Sequence, residues 1–233
     1  KWCRNLYCFE INPCFLDFGA IWAYLAAIVC GVAVVTAKCS FRTNTETVFP
    51  LTTFSDLGLS QKVLSAIADA GYSTPTPIQA GAIPPALERR DICGIAQTGT
   101  GKTASFVLPM LTLLEKGTAR ARMPRTLILE PTRELEAQVA ENFEKYGKNH
   151  KLNVALLIGG VSFEEQDRKL ERGADVLICT PGRLLDHCER GKLLMTGVEI
   201  LVIDEADRML DMGFIPDIER IAKMIPFTRQ TLF

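Results

Sequence analysis

The stretch DICGIAQTGTGKTASFVLPMLTLL, residues 91–114, decides the fold. Asp91-Ile92-Cys93-Gly94-Ile95 is a short apolar run closed by a Gly-rich loop, and Ala104 to Leu114 reads as a helix. Between them lie Ala96, Gln97, Thr98, Gly99, Thr100, Gly101, Lys102 and Thr103. A loop that follows a strand, opens a helix and ends in Gly-Lys-Thr has the form of a phosphate-binding loop. Its glycines allow backbone N–H groups to turn inward around phosphate oxygens, and the helix N-terminus adds partial positive charge. Lys102 can reach β- and γ-phosphates, and the Thr103 hydroxyl can bind Mg²⁺. The usual first residue of such a loop is Gly; here it is Ala96. The plain alternative is an ordinary Gly-rich turn, which the Gly-Lys-Thr ending and the strand–helix context disfavour.

Downstream, strand and helix alternate. Strands are expected at 126–129, 154–158, 176–179 and 200–203, with one more beginning at 230. Helices are expected at 134–146, 163–170, 183–188 and 216–224. Runs as apolar as Thr126-Leu127-Ile128-Leu129 and Ile200-Leu201-Val202-Ile203 belong in a parallel sheet covered on both faces. The expected class is α/β, a doubly wound parallel sheet, whose ligands bind at the carboxyl ends of the strands.

The chain has 233 residues, 48% of them apolar, and a formal charge of −1. That is enough to build a sizeable core, and it carries no global polycationic signature, so any nucleic-acid contact must be local. Cys3, Cys8, Cys14, Cys30 and Cys39 crowd the start of the chain, and no C-x-x-C pair occurs. A structural zinc site is therefore not expected.

Composition breaks near residue 48. Phe18 to Ala37 runs FGAIWAYLAAIVCGVAVVTA without a charge, the length of a membrane span. Residues 1–47 thus read as an atypical apolar segment: a membrane anchor, a helix packed on the domain, or a stretch foreign to it. Residues 48–233 read as one domain.

A second motif ends the strand at 200–203: Asp204-Glu205-Ala206-Asp207. Asp204 can hold Mg²⁺ through its water shell, and Glu205 can orient or deprotonate an attacking water. Acids also favour helix N-caps, so D-E-A-D alone would leave both readings open. Together, Val202 to Leu210 and Met212-Gly213-Phe214 resemble the DEAD-box RNA helicases of superfamily 2, and look closest to the bacterial RhlE-type subgroup. The match runs from about Phe54 to Phe233.

The resemblance implies a RecA-like P-loop NTPase domain, the first of two helicase domains, working with ATP and Mg²⁺ on RNA in the cytoplasm. It makes Lys102, Asp204, Glu205 and Asp207 the catalytic set. Gly71 to Gln79 resembles the family's Q motif, bringing in Tyr72, Thr76 and Gln79. A Gln amide pairs a donor with an acceptor and so matches the N6/N7 edge of adenine. Phe54, 17 positions before that motif, takes the place of the family's base-stacking aromatic. Pro131, Thr132, Arg133 and Glu134 resemble motif Ia, and Thr180, Pro181, Gly182 and Arg183 motif Ib. With Gly159 and Gly160 these are the expected RNA contacts, a sequence-independent grip on phosphates. Where the family usually has Ala after Pro-Thr-Arg-Glu-Leu, this chain has Glu136, which is expected to weaken RNA binding. The Ser-Ala-Thr motif and the second RecA-like domain are expected beyond Phe233. No obligate oligomer is indicated, and a membrane contact is expected only if residues 18–37 are an anchor.

Overall fold

The computed structural model describes residues 6–10, 53–97 and 99–233. The apolar run at 18–37 and Thr98 lie outside the described residues. Among the described residues, no helix is long and apolar enough to cross a membrane. The chain falls into two compact units, one up to Leu113 together with Lys145–His150, the other Leu114–Glu144 with Lys151–Phe233.

The first unit contains strands β1 (Leu6–Glu10) and β2 (Asp91–Ile95), which pair in parallel with Cys8 opposite Cys93. β1 therefore comes from the leading segment that composition sets apart. Helices α1 (Gln61–Asp69) and α2 (Pro77–Leu87) precede β2, and α3 (Lys102–Leu114) follows it. Ser60 caps α1, its hydroxyl accepting from the Val63 N–H at 3.4 Å. Pro75 and Pro77 alone suggest an extended loop, yet Pro77 occupies the first turn of α2, where its missing N–H costs nothing. Neither α1 nor α2 is assigned by the strand–helix alternation, which begins only at Arg90.

The second unit holds β3 (Thr126–Leu129), α4 (Arg133–Gly147, its last turn in the first unit), β4 (Val154–Leu157) and α5 (Phe163–Glu171). β5 (Val176–Cys179), α6 (Pro181–Glu189), β6 (Ile200–Ile203), α7 (Ala206–Asp211), α8 (Ile215–Met224) and β7 (Gln230–Leu232) complete it. Strand order is β7-β6-β3-β5-β4, with every pair parallel. The chain steps from β3 out to β4, then back through β5 and across β3 to β6. Crossovers in both directions put helices on both faces, because parallel crossovers are right-handed. This is the doubly wound arrangement expected from the apolar strands. β3, β5 and β6 are buried along their whole length. Helices start earlier than expected: α6 begins at Pro181 and not at Arg183, since proline is preorganised for a first helical turn.

At the amino ends of these strands a buried ion network ties the unit together. Arg125 donates through Nε to Glu199 at 3.1 Å, through Nη1 to the Leu114 carbonyl at 3.2 Å and through Nη2 to the Lys116 carbonyl at 2.7 Å. Asp175 lies 3.8 Å from Arg125 and accepts the Ala119 and Asn153 N–H groups at 2.9 and 3.0 Å. Removing one partner leaves a buried charge and stranded backbone donors, which costs roughly 3–5 kcal/mol. Asp175→Ala is expected to lower the unfolding free energy by about 3 kcal/mol in a urea titration. A loss below about 1 kcal/mol would show that water replaces the carboxylate.

Candidate functional site

In the first unit the loop after β2 leads into α3, and two of its glycines have left-handed backbone, Gly99 (φ 82°) and Gly101 (φ 88°). Left-handed glycine beside right-handed neighbours turns successive N–H groups toward one point, the geometry of an anion nest. A Cβ at Gly99 would meet only open space, whereas one at Gly101 would lie 2.5 Å from Gln79 Nε2. Thr100 Oγ1 donates to the Gln97 carbonyl at 2.7 Å and folds the loop on itself. Within the first turn of α3 the Ser105 hydroxyl donates back to the Lys102 carbonyl at 2.6 Å. Gln97 is exposed, and Ala96, Lys102 and Thr103 are partly exposed.

Gln79 is buried beneath this loop. Its Oε1 accepts the Thr76 N–H at 3.0 Å, and its Nε2 donates to the Gly101 carbonyl at 3.2 Å. Thr76-x-x-Gln79 thus forms half of a capping box at the start of α2, a spacing that the sequence itself displays. An amide has two N–H donors and two acceptor lone pairs. One of each is used here, so one donor and one acceptor remain for an adenine edge. Phe54 is only 7% exposed and packs from the turn Phe54–Leu57 against α2. Its ring is a core contact in this structure; stacking on a base would require a face to be uncovered. Tyr72 is 50% exposed, with the Lys145 ammonium 4.8 Å from its ring centre.

In the second unit Asp204 sits at the end of β6, its N–H donating to the Leu129 carbonyl of β3 at 3.2 Å. Its Oδ1 accepts the Glu205 N–H at 2.9 Å. Glu205 is left-handed (φ 48°, ψ 44°), a conformation costing an L-residue about 1–2 kcal/mol. Strain of this kind persists where the surroundings impose it, and it clusters at functional positions. Asp207 is exposed on the first turn of α7, where its carboxylate accepts the Arg208 N–H at 2.9 Å.

The expected RNA residues lie at the carboxyl ends of β3, β4 and β5. The Arg133 guanidinium lies directly against Gly159-Gly160: a Cβ on Gly159 would be 3.1 Å from Arg133 Nη2, and one on Gly160 3.3 Å from Nη1. Bare glycine there makes room for the cation. Glu134 is exposed, and hydrogen bonds from its own N–H and the Thr132 hydroxyl hold its carboxyl below the usual range. Pro131 and Pro181 are buried, so they set helix starts and offer no side chain to a ligand. Thr180 and Gly182 are partly exposed at the start of α6. Arg183 is committed in part: its Nη2 donates to the Val161 carbonyl at 2.8 Å and its Nε to Gln166 Oε1 at 3.2 Å.

Residues 76–233 match the DEAD/DEAH box helicase family model. The chain belongs to that family. Among curated relatives, the ATP-dependent RNA helicase DeaD of Klebsiella pneumoniae is 49% identical over 77% of this chain and 28% of its own length. The DEAD-box ATP-dependent RNA helicase CshA of Geobacillus kaustophilus is 46% identical over 78% of the chain and 38% of its own length. The chain thus spans about a third of the curated relatives it matches. Two solved structures superpose with a TM-score of 0.72 at 40% identity. One is a DEAD box protein from Methanococcus jannaschii, matched over 77% of this chain and 48% of its own. The other is the RNA helicase Prp28 of Chaetomium thermophilum bound to ADP, matched over 79% and 45%. The fold is accordingly the RecA-like α/β fold of DEAD-box helicases.

Against that family, Glu136 stands out. It lies in the first turn of α4 with no exposed surface. Burial pushes its carboxyl up to about 7, opposed by the Thr180 backbone N–H and the Arg133 charge. No well-aligned hydrogen bond closes on either oxygen. A folded-state pKa raised above the unfolded one means the folded protein holds the proton longer. Its penalty is absent below about pH 4.5, grows as the pH rises toward 7 and is complete above it. Glu136→Gln is therefore expected to stabilise the protein at pH 8 by about 1–3 kcal/mol and to change little at pH 4.5, read from denaturation at both values. Parallel pH profiles for the two proteins would show that the carboxylate is ionised at no cost.

Proposed function

We propose that this chain is the ATP-binding motor domain of an ATP-dependent RNA helicase, which binds ATP with Mg²⁺, grips the RNA backbone and contributes to unwinding coupled to hydrolysis. The observation that carries the reading is the Gln79–Gly101 contact, which joins a base-reading amide to the phosphate loop within one unit. A nucleotide bound in the loop would meet backbone N–H groups opened by Gly99 and Gly101, and its base would meet the remaining donor and acceptor of Gln79. Thr103 in the first unit and Asp204 in the second are each hard oxygen donors of the kind magnesium prefers. A bound ion would supply charge neutralisation at the phosphates.

In this reading Lys102 holds the β- and γ-phosphates by charge. Glu205, held in a strained backbone at the end of β6, orients or deprotonates the attacking water, and Asp204 fixes it by accepting its N–H. Asp207 contributes to the cap of α7 and not to the water. Arg133, Thr132 and Gly160 hold RNA phosphates without reading sequence. Residues 48–233 carry every motif of this reading, which is that of a cytoplasmic protein with no obligate oligomer. A second RecA-like domain completes the cycle.

Gln79→Ala is expected to reduce the preference for ATP over GTP by about 1–3 kcal/mol, measured by competition for a fluorescent ATP analogue; equal ATP and GTP affinities in the unchanged protein would remove the assignment. In a fusion to the C-terminal remainder of the Klebsiella DeaD relative, Glu205→Gln is expected to keep ATP affinity. Its turnover should fall by about 10²–10⁴-fold, the usual contribution of a positioned base. Normal turnover would mean that another group positions the water.

A further inference from the structure

Beyond the RNA contacts implied by motifs Ia and Ib, a third cation lies along the same loop. Phe163, the first residue of α5, carries two guanidinium groups on its ring: Arg183 Cζ at 3.6 Å and Arg190 Cζ at 3.8 Å from the ring centre. Arg190 follows the last residue of α6 and is exposed. A cation there suits the negative end of a helix, but the Arg190 guanidinium makes no hydrogen bond or ion pair among the described residues, to the helix carbonyls or to any acid. Arg183 likewise has no carboxylate partner; its bonds go to the Val161 carbonyl and to Gln166. The resulting positive field is felt inside the unit. The buried His187 ring, 5.0 Å from Phe163, is held below its ordinary value by burial first, with both arginines adding to the effect against the opposing Asp167.

Two like charges on one ring without a counter-ion are costly to hold, and an anion between or beside them relieves that cost. The arrangement is also continuous with the expected RNA face. Arg133 lies against Gly159 and Gly160, Val161 comes next, and Arg183 binds the Val161 carbonyl. Arg190 is therefore the third guanidinium in a row along residues 159–163. Contact with the ring restrains the Arg190 side chain in advance, so less of its freedom remains to be lost when a phosphate is bound.

We propose that Arg190, stacked on Phe163, binds an RNA backbone phosphate adjacent to the one held at Arg183, so that the RNA track continues past motif Ib to the end of α6. This rests on the RNA-binding reading above, and the test separates the two. Affinity of the 233-residue chain for a fluorescein-labelled oligouridylate is measured by anisotropy across a series of KCl concentrations, for the unchanged protein, Arg133→Gln, Arg190→Gln and Arg190→Lys. One phosphate contact on a single strand is worth about 0.7 in the slope of log affinity against log salt. Arg190→Gln is expected to flatten the slope by about that amount and to weaken low-salt binding several-fold, while Arg190→Lys keeps the slope. If Arg133→Gln weakens binding but Arg190→Gln changes neither affinity nor slope, the Arg190 site is wrong and the RNA face stands. Loss of affinity in Arg190→Gln at unchanged slope assigns the residue to packing on Phe163 and likewise overturns the site. If neither Arg133→Gln nor Arg190→Gln weakens binding, the RNA face itself falls. Should Arg190→Gln not fold, Arg190→Lys decides: a slope that drops with the charge retained overturns the proposal.

Discussion

The second unit is organised by one constraint: β3, β5 and β6 are buried on both faces and run parallel. A strand covered on both sides can carry almost no polar side chain, and parallel neighbours must all leave the sheet at the same end. The functional groups of this unit are consequently displaced to the carboxyl ends, where Asp204, Thr180 and Thr132 begin the outgoing turns. The amino ends do the opposite work. There Arg125 and Asp175 gather backbone groups from residues 114–119 and, through Asn153, from the start of β4 into a buried network. One edge is thus fixed by satisfied charge, and the other is left with groups that can turn toward a ligand.

Of the three non-glycine residues with left-handed backbone among the described residues, Arg89 and Arg122 precede strands and Glu205 follows one. Glu205 takes a left-handed conformation that a β-carbon disfavours, directly after the strand that delivers Asp204. Gly101 is glycine for two reasons: its backbone is left-handed, and a β-carbon there would strike the Gln79 amide. Gln79 in turn does two jobs. It caps α2 through Thr76 and supports the loop through Gly101, so the group proposed to choose the base is rigidly referenced to the glycine-rich loop after β2. Preorganisation of this kind reduces what binding must spend on ordering.

Polar groups that sequence pattern marks as contacts divide into those that face outward and those that support. Arg133 is exposed, whereas Arg183 spends part of its guanidinium on the Val161 carbonyl and Gln166. The two glycines at 159–160 are explained by the Arg133 cation pressed against them as much as by any approach of a nucleic acid. Glu136, an acid among motif residues, is turned inward and not toward a ligand. Its burial bears on stability, and the Thr180 backbone is among the groups that act on its carboxyl.

By itself, the sequence determined the strands at 126–129, 176–179 and 200–203, the parallel α/β class and the order of the motifs, because unbroken apolar runs and Gly-Lys-Thr or Asp-Glu-Ala-Asp at their ends have few other physical readings. It also singled out Gln79, Lys102, Asp204 and Glu205 as candidates, because residue type and spacing are what a sequence displays directly. Only the tertiary structure decided what depends on neighbours remote in the chain. Phe54 is a buried core ring rather than an open stacking face, because α2 covers it. Helices α1 and α2 escaped the alternating pattern because they precede it, and proline-rich α2 reads locally as loop. The pairing of Arg183 and Arg190 on Phe163 joins residues from two helices and is invisible as a motif, since a ring and two cations separated along the chain share a surface only once α5 and α6 are folded.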